Sequence, residues 1–554
     1  MNVGLVVKGI AKGGLIVDER RGMSVKATWK VSAAVMLSRV LGLVREVLFA
    51  GLFGGSRWMD CFYLAFKVPN LLRDLFAEGA LSQAFVTTFS KKVKADGVES
   101  AWVLASRMMT LAAVFMSVVA LVGIAVAPWI VDLLTAFSRS GQTPRVYNAD
   151  EISLTVEMVR VMYPFIALVS LSALVMGMLN ARDVFGMPAL ASCFFNIGSM
   201  IGGAVIGYWM DPSWGPRSLV GFSWGVLIGG VSQLVCQFPS LRAVGYRFKA
   251  NFKWNDSGVK KIVQLMIPAV IAASVTQVNV LVNAMFAYGV GEGAVSWLSY
   301  AFRLMQLPIG VFGVAVATVT LPALSRAAMN GMGTDFAPTL LKGLKLVMFL
   351  VFPATVGLIM LAQPIVSLLY ERGKFDELDR LATAGALQAY GCGLLFYAGL
   401  KVLQPAFYAI EKRWFPMIAS LMALVVNLGC NYTFVFVFKW GHESLALTTS
   451  IVASLNFLFL YLAMMRYAGD IGTKSLILAF LKIGFSTAVM AAVCYFGNQL
   501  LLADLCDMAF WRKATAVIGL IGVAGVVYLI TTLALKVEEI QDVATMLKRR
   551  LGSE

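Results

Sequence analysis

The chain has 554 residues, 59% of them hydrophobic and only 14% charged, with a formal net charge of +16. Soluble proteins run near 45–50% apolar and about 25% charged, so the composition excludes a soluble enzyme and can supply more than a dozen spans of about 20 residues. A β-barrel is excluded too, because the apolar residues form long continuous runs rather than ten-residue alternating strands. The expected class is an all-α polytopic membrane protein.

Residues 1–30 carry Lys8, Lys12, Arg20, Arg21, Lys26 and Lys30 without the apolar core of a cleavable signal, and Met23 is an alternative start. They read as a cytoplasmic extension. Apolar runs bounded by charge then place fourteen spans near 31–53, 59–89, 102–134, 153–180, 187–210, 219–240, 262–290, 295–324, 343–361, 381–409, 416–438, 444–465, 476–501 and 514–535. Pro69, Pro164, Pro268, Pro308 and Pro405 interrupt several of them. Freed backbone groups are tolerated in a membrane only where protein or a wet cavity satisfies them, so bent helices around a cavity are expected. The basic segments, among them Lys91, Lys92 and Lys94 and the run 242–261, fall on one side, which places both termini in the cytoplasm. This placement reads the positive charge as a topology signal and not as a nucleic-acid surface. The linker 242–261 divides a six-helix lobe at 31–241 from a second at 262–467. Two further helices follow at 468–535, then a cytoplasmic tail at 536–554. Paired lobes are a common transporter plan.

Charge inside the bilayer sets this chain apart. The first span holds Arg39, Arg45 and Glu46, the second Asp60, Lys67, Arg73, Asp74 and Glu78, and the eighth Arg303. Each such group costs roughly 2.5–3.5 kcal/mol at the bilayer centre, so the cluster must face protein or water. At about 100° per residue, Asp60, Lys67, Asp74 and Glu78 share a stripe within roughly 40° on the second helix, and Arg73 projects elsewhere. Arg39 and Glu46 share a face of the first helix, with Arg45 about 120° away. Mixed signs on one stripe fit ion pairs between helices equally well. The arginines point more firmly to an anion site, because a guanidinium is a planar fork of donors suited to phosphate and carboxylate.

Enzyme signatures are lacking. The run Gly221-Phe222-Ser223-Trp224-Gly225 matches a nucleophile pattern, but it lies in a span and reads better as small-residue helix packing. No phosphate-binding loop occurs, and His442 is the sole histidine, which excludes multi-imidazole metal sites. The cysteines lie mostly in apolar runs and read as small hydrophobes. Asn279, Asn283, Asn427, Asn431 and Thr448 recur at helical spacing in the second lobe. Interhelical hydrogen bonding is the plain explanation; a monovalent cation site is the sharper one.

The run Ser38-Arg39-Val40-Leu41-Gly42-Leu43-Val44-Arg45-Glu46, the stretch from Asp60 to Lys67, Pro69-Asn70-Leu71-Leu72-Arg73 and Phe76 to Phe85 resemble the MurJ (MviN) family. The stretch from Val295 through Arg303-Leu304-Met305, with Pro308, Gly310, Gly313, Pro322 and Ser325, is similar to that family's eighth helix. The likeness runs from about residue 28 to 535. Its members are lipid II flippases of the multidrug/oligosaccharidyl-lipid/polysaccharide exporter superfamily. The resemblance implies fourteen helices in two six-helix lobes, with the last two forming a groove for the lipid tail. It places the family's essential arginines on Arg39, Arg45, Arg73 and Arg303, its essential acid on Asp60 and a serine on Ser38. Glu46, Lys67, Asp74 and Glu78 are the supporting charges. Three positions depart from the pattern: Glu46 stands where aspartate is usual, Asp74 where a basic residue is common, and Phe302 where an acid can precede the eighth-helix arginine. Some members bind sodium through aspartates in the second lobe, and the asparagine set here lacks those carboxylates.

The expected function is therefore a lipid II flippase of a bacterial inner membrane, working by alternating access without covalent chemistry or an organic cofactor. Coupling to a monovalent cation or to the membrane potential is open. Lipid II and membrane lipids are the expected partners, with the cell-wall synthesis machinery a further candidate and nucleic acid excluded. A drug/cation antiporter of the same superfamily and a transferase acting on the same lipid are the alternatives.

Overall fold

A computed structural model describes residues 25–75, 81–136, 145–329, 335–503 and 508–540. The described residues are helical, with no strand among them. In chain order the helices are α1 (Val25–Phe53), α2 (Arg57–Arg73), α3 (Ser82–Leu134), α4 (Ala149–Met162), α5 (Phe165–Asn180), α6 (Gly186–Met210), α7 (Pro216–Val235) and α8 (Phe238–Ala243). After the linker come α9 (Ser257–Val290), α10 (Ala294–Pro308), α11 (Val314–Met329), α12 (Phe336–Met360), α13 (Ala362–Tyr370) and α14 (Glu377–Ala409). The last are α15 (Trp414–Tyr432), α16 (Glu443–Ala468), α17 (Thr473–Leu501) and α18 (Phe510–Ala534).

Eleven segments among the described residues are long and apolar enough to cross a membrane, against the fourteen expected. Helices α1, α2 and α9 are not among them. Helix α2 has 17 residues and carries Asp60, Lys67 and Arg73. Expected span two lies mostly in α2, and its end shares α3 with span three; the helical path of α3 breaks at Gly97 (φ 82°, ψ 171°). This chain is a multi-pass membrane protein of apolar helices.

The predicted bends have local causes. Pro69 lies inside α2, Pro268 inside α9 and Pro405 inside α14, and Pro164 separates α4 from α5. After Pro308 the chain widens into a π turn at Ile309–Gly313, the usual way to absorb a lost backbone pairing. The 221–225 run acts as a packing surface: a methyl on Gly225 would lie 2.5 Å from Cα of Gly203, and one on Gly221 2.4 Å from Cα of Gly207. Ser223 is buried and donates to the Leu219 carbonyl, so it is no nucleophile.

In the N-terminal half α6 packs on α7 and α1, α5 on α3, and α4 on α2. In the C-terminal half α14 is central, touching α10, α12 and α16, while α15 packs on α9 and α16. Helices α17 and α18 pack on each other and, through α12 and α13, on the C-terminal half. Most hydrogen bonds between the halves gather at one end, formed by the turns that follow α1, α6, α9 and α13, while Arg107 of α3 pairs with Asp256, the cap of α9, near the other. The former is called the joined end below.

Candidate functional site: a cationic cavity closed at one end

A cavity of about 830 Å³ lies between the halves, walled by residues of α1, α2, α6, α7, α9, α10, α14, α15 and α16. Ser38, Arg39, Arg45, Glu46, Lys67, Arg73, Asp74 and Arg303 all line it. Five cationic side chains thus face two carboxylates, a formal excess of three positive charges. Arg73 was expected off the stripe. It lines the cavity from the last turn of α2, beyond Pro69. Arg45, also expected on another face, reaches the wall through its length, with its guanidinium 5.7 Å from the Phe195 ring centroid.

Most of these arginines already have partners. Glu46 Oε1 lies 3.1 Å from Arg45 Nη2 and 3.1 Å from Arg303 Nη2, while the Tyr63 hydroxyl donates to Glu46 Oε2 at 2.5 Å. Arg73 donates twice to Asp74 Oδ1, at 2.8 and 3.2 Å. Arg39 lies against the backbone of Gly310, where a methyl would meet its Nη1 at 1.9 Å, and no carboxylate stands within ion-pair distance of it among the described residues. Glu78 lies outside the described residues.

Asp60 is not in the cavity wall; it is completely buried at the joined end. Its Oδ1 accepts from the Ser296 N–H at 2.9 Å and the Ser296 hydroxyl at 2.7 Å, and its Oδ2 accepts from the Gly293 N–H at 2.8 Å. A carboxylate from one half therefore caps the N-terminus of α10 in the other, where orphan N–H groups and the helix dipole favour an anion. Arg145 Nη1 pairs with Asp60 Oδ2, and Arg145 also bonds Gly291 O at 3.2 Å and Glu151 at 3.3 Å. Burial works against the charge on Arg145, but Asp60 beside it outweighs that and moves the guanidinium above its ordinary range.

Around this pair the backbones nearly touch. Gly293 has φ +79°, and a methyl there would lie 2.3 Å from Gly55 O; a methyl on Gly55 would lie 2.2 Å from Asp379 Oδ1. Asp379 accepts from the Gly55 N–H at 2.8 Å and from Trp297 Nε1 at 2.6 Å. The Lys374 N–H donates to Gly51 O at 2.9 Å, and the Tyr300 hydroxyl donates to Gly54 O at 3.1 Å. His442 lies tilted against Trp297 with centroids 4.9 Å apart and bonds the Ala382 carbonyl. Burial holds its imidazole below the usual titration range, against the opposing pull of that carbonyl and of Glu443. Sequence reasoning missed Gly55, Arg145, Gly293, Ser296, Trp297 and Asp379. Only the Gly-Glu-Gly turn ahead of an apolar helix signalled a special junction.

The asparagines form one network. Asn431 Nδ2 donates to Asn427 Oδ1 at 2.8 Å and to Asn283 Oδ1 at 2.9 Å, and Asn283 Nδ2 donates to Thr449 Oγ1 at 3.3 Å. Asn279 Oδ1, Asn431 Oδ1 and Thr448 Oγ1 are buried without a partner. No His, Cys, Asp or Glu group suited to a metal ion occurs among the described residues.

The model of the lipid II flippase MurJ family matches residues 49–513. The chain belongs to the lipid II flippase MurJ family. It is 33% identical over 522 residues to the probable lipid II flippase MurJ of Vibrio cholerae, covering 92% of this chain and 95% of that protein. It is 35% identical over 445 residues to the lipid II flippase MurJ of Burkholderia cenocepacia, covering 80% and 84%. A solved lipid II flippase MurJ in an inward closed conformation superposes with a TM-score of 0.73 at 27% identity, over 94% of this chain and 99% of that one. An inward-facing MATE family multidrug resistance transporter of the MOP superfamily shares the fold, with a TM-score of 0.64 at 16% identity over 80% of this chain and 99% of that one. The relatives are named as flippases, that is, as transporters rather than enzymes.

Proposed function

We propose that this chain is a lipid II flippase of a bacterial inner membrane, carrying an undecaprenyl-diphosphate-linked disaccharide-pentapeptide outward by alternating access. The single observation that carries the reading is the cationic cavity between the halves of an apolar protein, with Arg39, Arg45, Arg73 and Arg303 in one wall system. A sugar-peptide-diphosphate head cannot cross hydrocarbon unaided, and several guanidiniums in a low-dielectric cavity supply the charge-assisted hydrogen bonds that a diphosphate loses on leaving water. The excess of positive charge also disfavours the cationic drugs of the antiporter alternative.

In this state the joined end is the closed gate. Both termini are cytoplasmic in this reading, so the joined end faces outward and the head enters from the cytoplasm. The prenyl chain stays along the apolar surface of α17 and α18. Ser38, on the same wall as Arg39, and Lys67, beside Arg73, are the added polar contacts for the head group. Asp60 acts on the gate rather than on the lipid. Coupling falls to the membrane potential: a head with about two negative charges moving outward gains roughly 4–5 kcal/mol per 100 mV.

The test is flipping of labelled lipid II by purified protein in liposomes, beside complementation of a flippase-depleted strain. Arg39→Ala, Arg45→Ala, Arg73→Ala and Arg303→Ala each abolish both while the protein still inserts. Lysine replacements recover little, because two-pronged recognition is lost. Normal growth with all four arginines changed would sink the reading.

A further inference from the structure

Lys513 sits in the first turn of α18 with 7% of its surface exposed. A lysine that merely anchors a helix end extends its ammonium to water. This one turns inward: Nζ lies 2.7 Å from Ser367 Oγ and 3.5 Å from Glu371 Oε2. Ser367 donates to the same Glu371 oxygen. The other Glu371 oxygen pairs with Arg380 Nη1 at 3.3 Å, and Arg380 Nη2 pairs with Glu377 at 2.7 Å. Glu371 is thus held from two sides, by α18 and by the start of α14.

Glu371 begins the turn that joins the halves. Three residues on, the Lys374 N–H donates to Gly51 O, and Lys374 Nζ donates to the carbonyl of Trp214 at 2.8 Å. Gly373 lies so close to α1 that a methyl there would meet Gly51 O at 2.1 Å. The buried charge chain therefore runs from the last helix, which lies outside the two halves, into the segment that closes the joined end. On its other faces α18 exposes large apolar side chains, Trp511, Ile518 and Ile530 among them.

We propose that Lys513 is a positioning residue of the transport cycle: through Glu371 it holds the 371–376 turn against the N-terminal half, so that the placement of α18 sets whether the joined end stays closed. The substrate used in the test rests on the flippase reading; the link from α18 to the joined end does not. Breaking the pair leaves Glu371 partly buried beside Arg380 alone and frees the turn to move with α18.

The experiment uses full-length protein with its native cysteines replaced and spin labels at Ser213→Cys and Gly441→Cys, exposed positions in turns of the two halves at this end. Distance distributions are read by pulsed electron resonance in liposomes, with flipping of labelled lipid II measured in parallel. Lys513→Met shifts the distribution to longer separations and slows flipping at least tenfold, while Lys513→Arg, which keeps a positive charge beside Glu371, holds both within about threefold of the parent. Parental distances in Lys513→Met, with or without loss of flipping, overturn the proposal, since the lysine then only docks α18. If Lys513→Met does not insert, Glu371→Gln decides alone: parental distances in that variant overturn the proposal. A parent chain that moves no lipid II, yet whose distances respond to Lys513→Met and are kept by Lys513→Arg, refutes the substrate and leaves the positioning role standing.

Discussion

Arg303 of α10 and Glu46 of α1 meet at 3.1 Å in the cavity wall, so one bond between the halves uses a guanidinium that a diphosphate would also seek. The same Glu46 oxygen holds Arg45. Substrate phosphate and Glu46 therefore compete for two arginines. Glu46→Gln is expected to tighten pyrophosphate binding to the purified protein severalfold, read by calorimetry, and to slow flipping, because the emptied cavity then resets with two unneutralised arginines. Unchanged pyrophosphate affinity would show that Glu46 is no competitor.

Asp60→Asn keeps an acceptor for only one of the Ser296 and Gly293 N–H groups, which bond different carboxylate oxygens, and removes the charge opposite buried Arg145. Breaking a buried pair costs about 3–5 kcal/mol, and the remaining Glu151 partner of Arg145 puts this variant near the lower end. A lower melting temperature with intact diphosphate binding is the expected result. Lost diphosphate binding with normal stability would return Asp60 to the substrate site.

Gly293→Ala places a methyl 2.3 Å from the Gly55 carbonyl at a backbone angle that non-glycine residues avoid. Closure of the joined end becomes unfavourable. Cysteine cross-linking between the turns at this end should fall sharply, with the cavity arginines still protected from modification by pyrophosphate. Normal cross-linking would mean the contact yields more easily than its spacing implies.

His442 gives the joined end a pH response of defined sign. Its imidazole is held below the ordinary value of about 6.5, so the folded protein takes up fewer protons than the unfolded chain as pH falls through that value. Its contribution to stability is complete above about pH 6.5 and declines as pH falls from there to the lower folded value. His442→Gln should flatten the melting-temperature profile between about pH 6.5 and 5. An unaltered slope would assign the response to other groups.

Asn283, Asn427 and Asn431 bond one another with neutral amides, and no carboxylate completes a cation cage there among the described residues. Flipping in liposomes is expected to follow a potassium–valinomycin potential and to be the same with sodium or choline outside. Dependence on sodium would make the unpartnered oxygens of Asn279, Asn431 and Thr448 its ligands.

The sequence by itself determined the membrane class, the bends at proline and the presence of a costly cationic cluster, because apolar runs and intramembrane charge are properties of composition and spacing. The motif around Arg39, Arg45 and Arg73 carried the family and most of the cavity wall. Tertiary structure alone decided which charges face the cavity and which join the halves. Ideal helical angles put Asp60 and Lys67 on one stripe, but the N-terminus of α10 claims Asp60, and Arg145, 85 positions away, neutralises it. The closeness of Gly55 to Gly293 and of Lys513 to Glu371 was equally illegible, because each pair joins elements far apart in the chain. Helical periodicity says which face a residue occupies but not which distant helix that face will meet.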